Sequence, residues 1–254
     1  MKIKKPDCQR FFDSSERKPR IFSSSRRTPS SQSIDLARCL SSCPMVSQSC
    51  FAWAWILERI ILQLFFQHPS SHWLGDLLLR AAQVDQKFGK SVKLIQSFAV
   101  LEVVHAALKL VRSGLLTTSM QVSSRLWIVW GILPTFPQLG SSPVYASMVL
   151  AWSFTEVIRY AHYTFGLANI QSDVLEWLRY STFYVLYPLG AGSEALVMFF
   201  AFQAAKAAQL EQFIVNGILG LVCLWPPALA VMMKHMARQR KKYLQKCSKS
   251  SKMQ

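Results

Sequence analysis

Chemistry in this chain would have to come from ionisable and phenolic side chains that sit inside apolar stretches. Residues 92–111 hold Glu102 and His105, three apart and so on one helix face. Residues 144–167 hold Glu156 and Arg159 at the same spacing, followed by Tyr160, His162 and Tyr163. Residues 177–205 open with Arg179 and Tyr180 and continue through Tyr187 to Glu194. An ionisable group at membrane depth costs at least about 2.5–3.5 kcal/mol on insertion scales, so each of these needs a partner or a purpose.

Glu194 is the least easily explained by structure alone. No basic residue lies within a turn of it on its own segment, so it is protonated, partnered from another helix, or reactive. Tyr187 precedes it by seven residues, two turns of helix, which brings both side chains to nearly the same face. In a straight helix the two backbones would be about 10 Å apart. Pro188, Gly190 and Gly192 lie between them; proline removes a backbone hydrogen bond and glycine loosens the turn. A helical glutamate also leans toward the N-terminus, here toward the tyrosine. A shared site is geometrically reasonable, and a carboxyl with a phenol can act as base and acid. A kink serving only packing is the alternative.

The other groups have structural readings beside functional ones. Glu156 and Arg159 can neutralise each other as an ion pair, favoured here over a direct catalytic role. Glu102 and His105 either bridge helices or join the site. Arg125 and Arg179 lie near segment ends, where long cationic side chains can reach the headgroups.

The elements that position these groups follow from composition. Of 254 residues, 51% are hydrophobic and 17% charged, against about 25% charged in a soluble domain. Six stretches approach the roughly 20 apolar residues that span a bilayer: 51–66, 92–111, 115–136, 144–167, 177–205 and 213–233. The expected fold is all-α, a multi-pass membrane protein built as a six-helix transmembrane bundle. The net charge of +16 is concentrated at the ends: residues 1–50 contribute +6, residues 234–254 contribute +8, and the whole of 51–233 only +2. Lys and Arg near membrane ends stay cytoplasmic, so two basic termini on one side require an even number of crossings. The connection 67–91, with Arg80, Lys87 and Lys90, opposes this assignment, but it also carries Asp76 and Asp85. Residues 1–50, with twelve serines, are expected to be a disordered tail. Residues 51–233 form the membrane domain, and 234–254 a basic cytosolic tail.

Several function classes are excluded or demoted. A nucleic-acid binder interleaves aromatic and basic residues on one face; here the aromatics lie in the body and the charge in the tails. The six cysteines, at 8, 39, 43, 50, 223 and 247, include no C-x-x-C pair and no C-x5-R loop, so no metal site is expected. The chain shows no internal repeat of the kind that transporter folds often carry.

The residues resemble those of the very-long-chain 3-hydroxyacyl-CoA dehydratases, a membrane family once labelled tyrosine-phosphatase-like. The likeness runs from about Trp53 to Leu244. It is carried by AWAWIL at 52–57, LEVVHAALKLVRS at 101–113, SRLWIVWGIL at 124–133, AWSFTEVIRYAHY at 151–163, WLRYSTFYVLYPLGAGSE at 177–194, and a final WPP followed by HMARQRKK at 235–242. CPMVSQSC at 43–50 stands where the family usually carries a YN-containing stretch, and Lys109 stands where a small residue is common.

The resemblance implies an endoplasmic reticulum membrane protein with six crossings and both termini cytosolic. It implies a lyase that removes water from 3-hydroxyacyl-CoA to give trans-2-enoyl-CoA in fatty acid elongation. No cofactor is implied, and the partners would be the other elongation enzymes: the condensing enzyme, the ketoacyl reductase and the enoyl reductase. The family's catalytic tyrosine and glutamate match Tyr187 and Glu194. Arg159, Tyr160 or His105 could hold the thioester oxygen, the acyl chain would lie between helices, and the CoA phosphates would lie near cytosolic basic residues. A non-catalytic scaffold for the elongation enzymes is the competing expectation.

Overall fold

The computed structural model describes residues 29–66, 72–107, 115–167, 170 and 172–252, except for some side chains, among them those of residues 29–46 and His105. Within these residues the protein is all-helical: α1 (Pro29–Phe65), α2 (Trp73–Ala82), α3 (Val84–Ala107), α4 (Leu115–Leu126), α5 (Leu133–Thr135), α6 (Pro143–Leu167), α7 (Asp173–Ser181), α8 (Phe183–Ala207) and α9 (Gln212–Lys252). α1 is drawn from Pro29, inside the stretch expected to be a tail, whose first 28 residues lie outside the described ones.

Helical periodicity selects the core. Trp53, Ile56, Ile60 and Leu64 line one face of α1 and are buried with Tyr145, Met148, Val149 and Trp152 of α6. The same chain leaves large apolar side chains facing outward: Phe66 is 76% exposed and Phe213 88%. An apolar shell outside a packed core is what lipid, rather than water, would cover. By length and composition, α8 and residues Gln212–Gln245 of α9 qualify as membrane spans. The described residues of the other four stretches expected to cross fall largely on helices as well, but they carry more polar residues within them.

Two expectations need correction. The fifth stretch is not one helix: α7 ends at Ser181 and α8 starts at Phe183. Thr182 separates them, its backbone N–H and its hydroxyl both donating to the Leu178 carbonyl, at 3.0 and 2.7 Å. Ser172 starts α7 by accepting from the Leu175 N–H, with Asp173 and Glu176 in the first turn and Arg179 in the last, all favourable to the helix dipole. Residues 67–91, expected as a connection, contain α2 and the start of α3. Two of their three cations find partners locally, and Lys90 is exposed. Arg80 lies 3.8 Å from Asp76 and donates to the Leu64 carbonyl, and Lys87 donates to Gln63 at 2.7 Å.

α4 leads into a π-helical turn at Trp127–Ile132, where the Leu133 N–H bonds the Ile128 carbonyl five residues back. Pro134 follows and has no N–H to offer the Trp130 carbonyl, so a widened turn is accommodated there. Such turns often accompany functional sites, and this one begins two residues after Arg125.

Candidate active site

α4, α6 and α8 converge on a polar interior. On α8, Gly190 and Ser193 are buried, and Ser193 meets Ser147 of α6 hydroxyl to hydroxyl at 2.8 Å. A Cβ built on Gly190 would touch Ala151 at 3.6 Å. These small residues let α8 lie close to α6, and the next residue of α6 uses that proximity. Trp152, 1% exposed, donates its indole N–H to Glu194 Oε1 at 2.8 Å. Ser124 of α4 and Trp225 of α9 also approach the Glu194 carboxyl. Two turns earlier on α8, the Tyr187 hydroxyl accepts from the Gln121 side-chain amide of α4 at 3.0 Å. No hydrogen bond joins Tyr187 to Glu194, which agrees with their separation along the helix.

Beside this pair lies an ion cluster. Arg125 of α4 pairs with Glu156 of α6. Arg159, one turn along α6, lies 2.8 Å from Glu156 and 2.6 Å from Glu102 of α3. It also donates to the Tyr160 hydroxyl at 3.1 Å and lies 4.9 Å from that ring. Two arginines and two glutamates thus cancel, and Glu156 is only 1% exposed. Arg125 does not reach outward as its position near a segment end suggested. Glu156 stands opposite it, and the Trp152 ring lies 5.1 Å from its guanidinium. Its charge acts on both Tyr187 and Glu194.

The candidate residues therefore separate into groups. Tyr187, Glu194, Glu102, Glu156, Arg159 and Tyr160 share one polar interior. The His105 side chain lies outside the described residues. Arg179 and Tyr180 sit apart on α7: Arg179 lies 5.1 Å from the Tyr163 ring, and Tyr180 stacks on Tyr243 of α9 with ring centres 4.8 Å apart. Residues that went unnoticed are the neutral donors Gln121 and Trp152. Gln121 and Arg125 are four apart in an apolar stretch, a spacing that could have flagged that face of α4. Trp152 had no such signal, because an indole is at home in an apolar segment. Among the described residues, no group of His, Cys, Asp and Glu could hold a metal ion.

Residues 96–246 match the family described as protein tyrosine phosphatase-like protein, PTPLA. A Schizosaccharomyces pombe protein named "Probable very-long-chain (3R)-3-hydroxyacyl-CoA dehydratase" is 39% identical over 76% of this chain and 88% of its own. The Arabidopsis thaliana very-long-chain (3R)-3-hydroxyacyl-CoA dehydratase PASTICCINO 2 is 35% identical over 62% of this chain and 76% of its own. Human very-long-chain (3R)-3-hydroxyacyl-CoA dehydratase 2 is 33% identical over 61% and 65%. No solved structure matches the chain significantly.

Proposed function

The chain belongs to the protein tyrosine phosphatase-like (PTPLA) family, and on that footing we propose that it is a very-long-chain (3R)-3-hydroxyacyl-CoA dehydratase acting through Tyr187 and Glu194. The observation that carries this is the pairing on one face of α8 of a phenol and a buried carboxyl. Each is held by a neutral donor from a neighbouring helix, Gln121 and Trp152 respectively.

Dehydration removes a weakly acidic proton from C2 of the thioester and expels hydroxide from C3, so it needs one base and one acid. Glu194 takes the C2 proton. The electron pair forms the C2–C3 double bond as the C3–O bond breaks, and Tyr187 protonates the leaving oxygen to release water. Return of the proton from Glu194 to the phenolate through water resets the pair. Negative charge that develops on the thioester oxygen meets the positive side of the ion cluster, where Arg125 acts on both residues. The opposite allocation of acid and base uses the same two groups.

The polar site lies within helices whose outer faces are apolar, which supports a six-crossing arrangement. Residues 51–233 would form the membrane domain in the endoplasmic reticulum, with the tails 1–50 and 234–254 cytosolic. The acyl chain would lie between helices, and the condensing enzyme and the two reductases of elongation would be neighbours. The test is conversion of 3-hydroxyacyl-CoA to trans-2-enoyl-CoA by the purified protein, with Tyr187→Phe and Glu194→Gln as controls. Turnover that both substitutions abolish is expected. Wild-type turnover in both variants overturns the assignment, and no turnover by the wild type points to the scaffold.

A further inference from the structure

An open groove of about 460 Å³ lies between the start of α8 and the C-terminal part of α9, lined by Tyr184, Ala237, Arg240, Lys241, Leu244 and Gln245. We propose that it receives the phosphate-bearing nucleotide end of the CoA thioester, with Arg240 and Lys241 as the cationic contacts. The proposal rests on the dehydratase reading and adds a subsite to it.

The charge is uncompensated. The chain has no acidic residue after Glu211, and neither Arg240 nor Lys241 forms an ion pair among the described residues. Asp173 and Glu176 of the neighbouring α7 do not pair with them either. Residues 237, 240, 241, 244 and 245 lie on the side of α9 that lines the groove, Arg240 one turn from Ala237 and Leu244 and Lys241 one turn from Ala237 and Gln245, so the two cations border it from either flank of that face. The Arg240 guanidinium lies 5.0 Å from the Tyr184 ring, a contact that orients the group while leaving its N–H donors free for phosphate oxygens.

Position along α8 supplies the second argument. Tyr184 is one turn from Tyr187 and ten residues from Glu194, so the groove and the far end of the reactive pair are about 15 Å apart along the helix axis. A CoA thioester has the same division: a reactive acyl end, an uncharged pantetheine arm and an anionic nucleotide. The arm would follow α8, with the phosphates held at the helix end and the acyl carbons carried inward. An anionic lipid headgroup presents the same phosphate chemistry, so the test must separate the two sources.

The full chain is placed in phosphatidylcholine nanodiscs and assayed with a 3-hydroxyacyl-CoA and with the same acyl group on pantetheine alone. Arg240→Gln combined with Lys241→Gln should raise KM for the CoA thioester about tenfold, the scale of one lost charge-assisted contact, with little change in kcat. KM for the pantetheine thioester should be the same in variant and wild type. An unchanged KM for the CoA thioester, or an equal rise for both substrates, overturns the proposal. Arg240→Lys keeps the charge and should keep most of the affinity; a loss as large as that of the double variant also counts against a phosphate contact. Should the wild type turn over neither substrate, the dehydratase reading fails and the groove is judged by equilibrium binding of free CoA. Weaker binding by the double variant then supports the subsite, and equal binding overturns it. If the double variant loses affinity for phosphatidylserine vesicles while its KM for the CoA thioester stays at the wild-type value, the groove is a headgroup site and the proposal falls.

Discussion

Glu156 and Glu194 are buried carboxyls on adjacent helices, and their surroundings differ in kind. Glu156 lies between two guanidiniums, Arg125 and Arg159. Glu194 accepts from the indole N–H of Trp152, with Ser124 and Trp225 close by, and feels the Arg125 charge without forming an ion pair with it. A carboxylate clamped between two cations is a poor base, because protonating it would leave Arg125 without its counter-ion and Arg159 with Glu102 alone. A carboxylate held by uncharged donors can accept a proton at lower cost. The first arrangement suits a group that joins α4, α6 and α3 through one neutral cluster, and the second suits a group that reacts. Trp152 belongs to both regions, since its ring lies 5.1 Å from Arg125 and its N–H reaches Glu194.

The sharpest way to break this comparison is to neutralise each carboxyl and ask what is lost. Glu194→Gln should lower kcat about a thousandfold, within the range general acid–base groups contribute, while the unfolding midpoint stays near the wild-type value. Glu156→Gln should do the reverse in emphasis. Removing one partner of a buried ion pair costs about 3–5 kcal/mol, so the variant should unfold at markedly lower denaturant or temperature. If Glu156→Gln is as stable as the wild type and Glu194→Gln is the unstable one, the division of roles is inverted. A smaller effect is expected from Trp152→Phe, which keeps a ring under Arg125 and removes the donor to Glu194. One hydrogen bond to a charged group is worth about 1.5–3 kcal/mol, so kcat should fall roughly tenfold or somewhat more. Combined with Glu194→Gln, the Trp152 substitution should add little, because the two act on the same proton; full additivity in that double-mutant cycle would separate the indole from the chemistry.

How much of this was legible in the sequence follows from what kind of cost each residue carries. The reactive face of α8 was readable because a glutamate in an apolar helix is expensive and a tyrosine two turns away shares its face. The Glu156–Arg159 spacing announced a pair on the same reasoning. Arg125 was not readable, since a cation near a segment end can reach water, and only the packing of α4 against α6 places Glu156 opposite it. An indole is at home in an apolar segment, so nothing in the sequence singles out Trp152; Gln121 was signalled only by its four-residue spacing from Arg125, with no indication of its partner. The break between α7 and α8 falls at Thr182 with no glycine or proline to mark it. Length could have exposed it, because a helix over 177–205 would run about 43 Å, well beyond a hydrocarbon core. The charges of 67–91 looked anomalous only while that stretch was taken as an open connection; with α2 packed in place, Gln63 and the Leu64 carbonyl account for Lys87 and Arg80.

Whether the reactive face needs a loosened backbone as well as neutral donors separates the two regions once more, by the smallest expected effect. α6 carries Glu156 and Arg159 on a helix without internal proline or glycine near them, whereas α8 places Pro188, Gly190 and Gly192 between Tyr187 and Glu194. A side chain at Gly192 would meet nothing within 4 Å, so Gly192→Ala introduces no clash. Alanine in a helix interior is favoured over glycine by about 0.5–1 kcal/mol, and thermal unfolding should record a gain of that size. If the two reactive groups are positioned only by Gln121 and Trp152, kcat and KM stay at their wild-type values in the stiffened helix. A fall in kcat accompanied by the gain in stability would instead mean that α8 must bend during turnover to bring a tyrosine and a glutamate two turns apart onto adjacent carbons of one substrate.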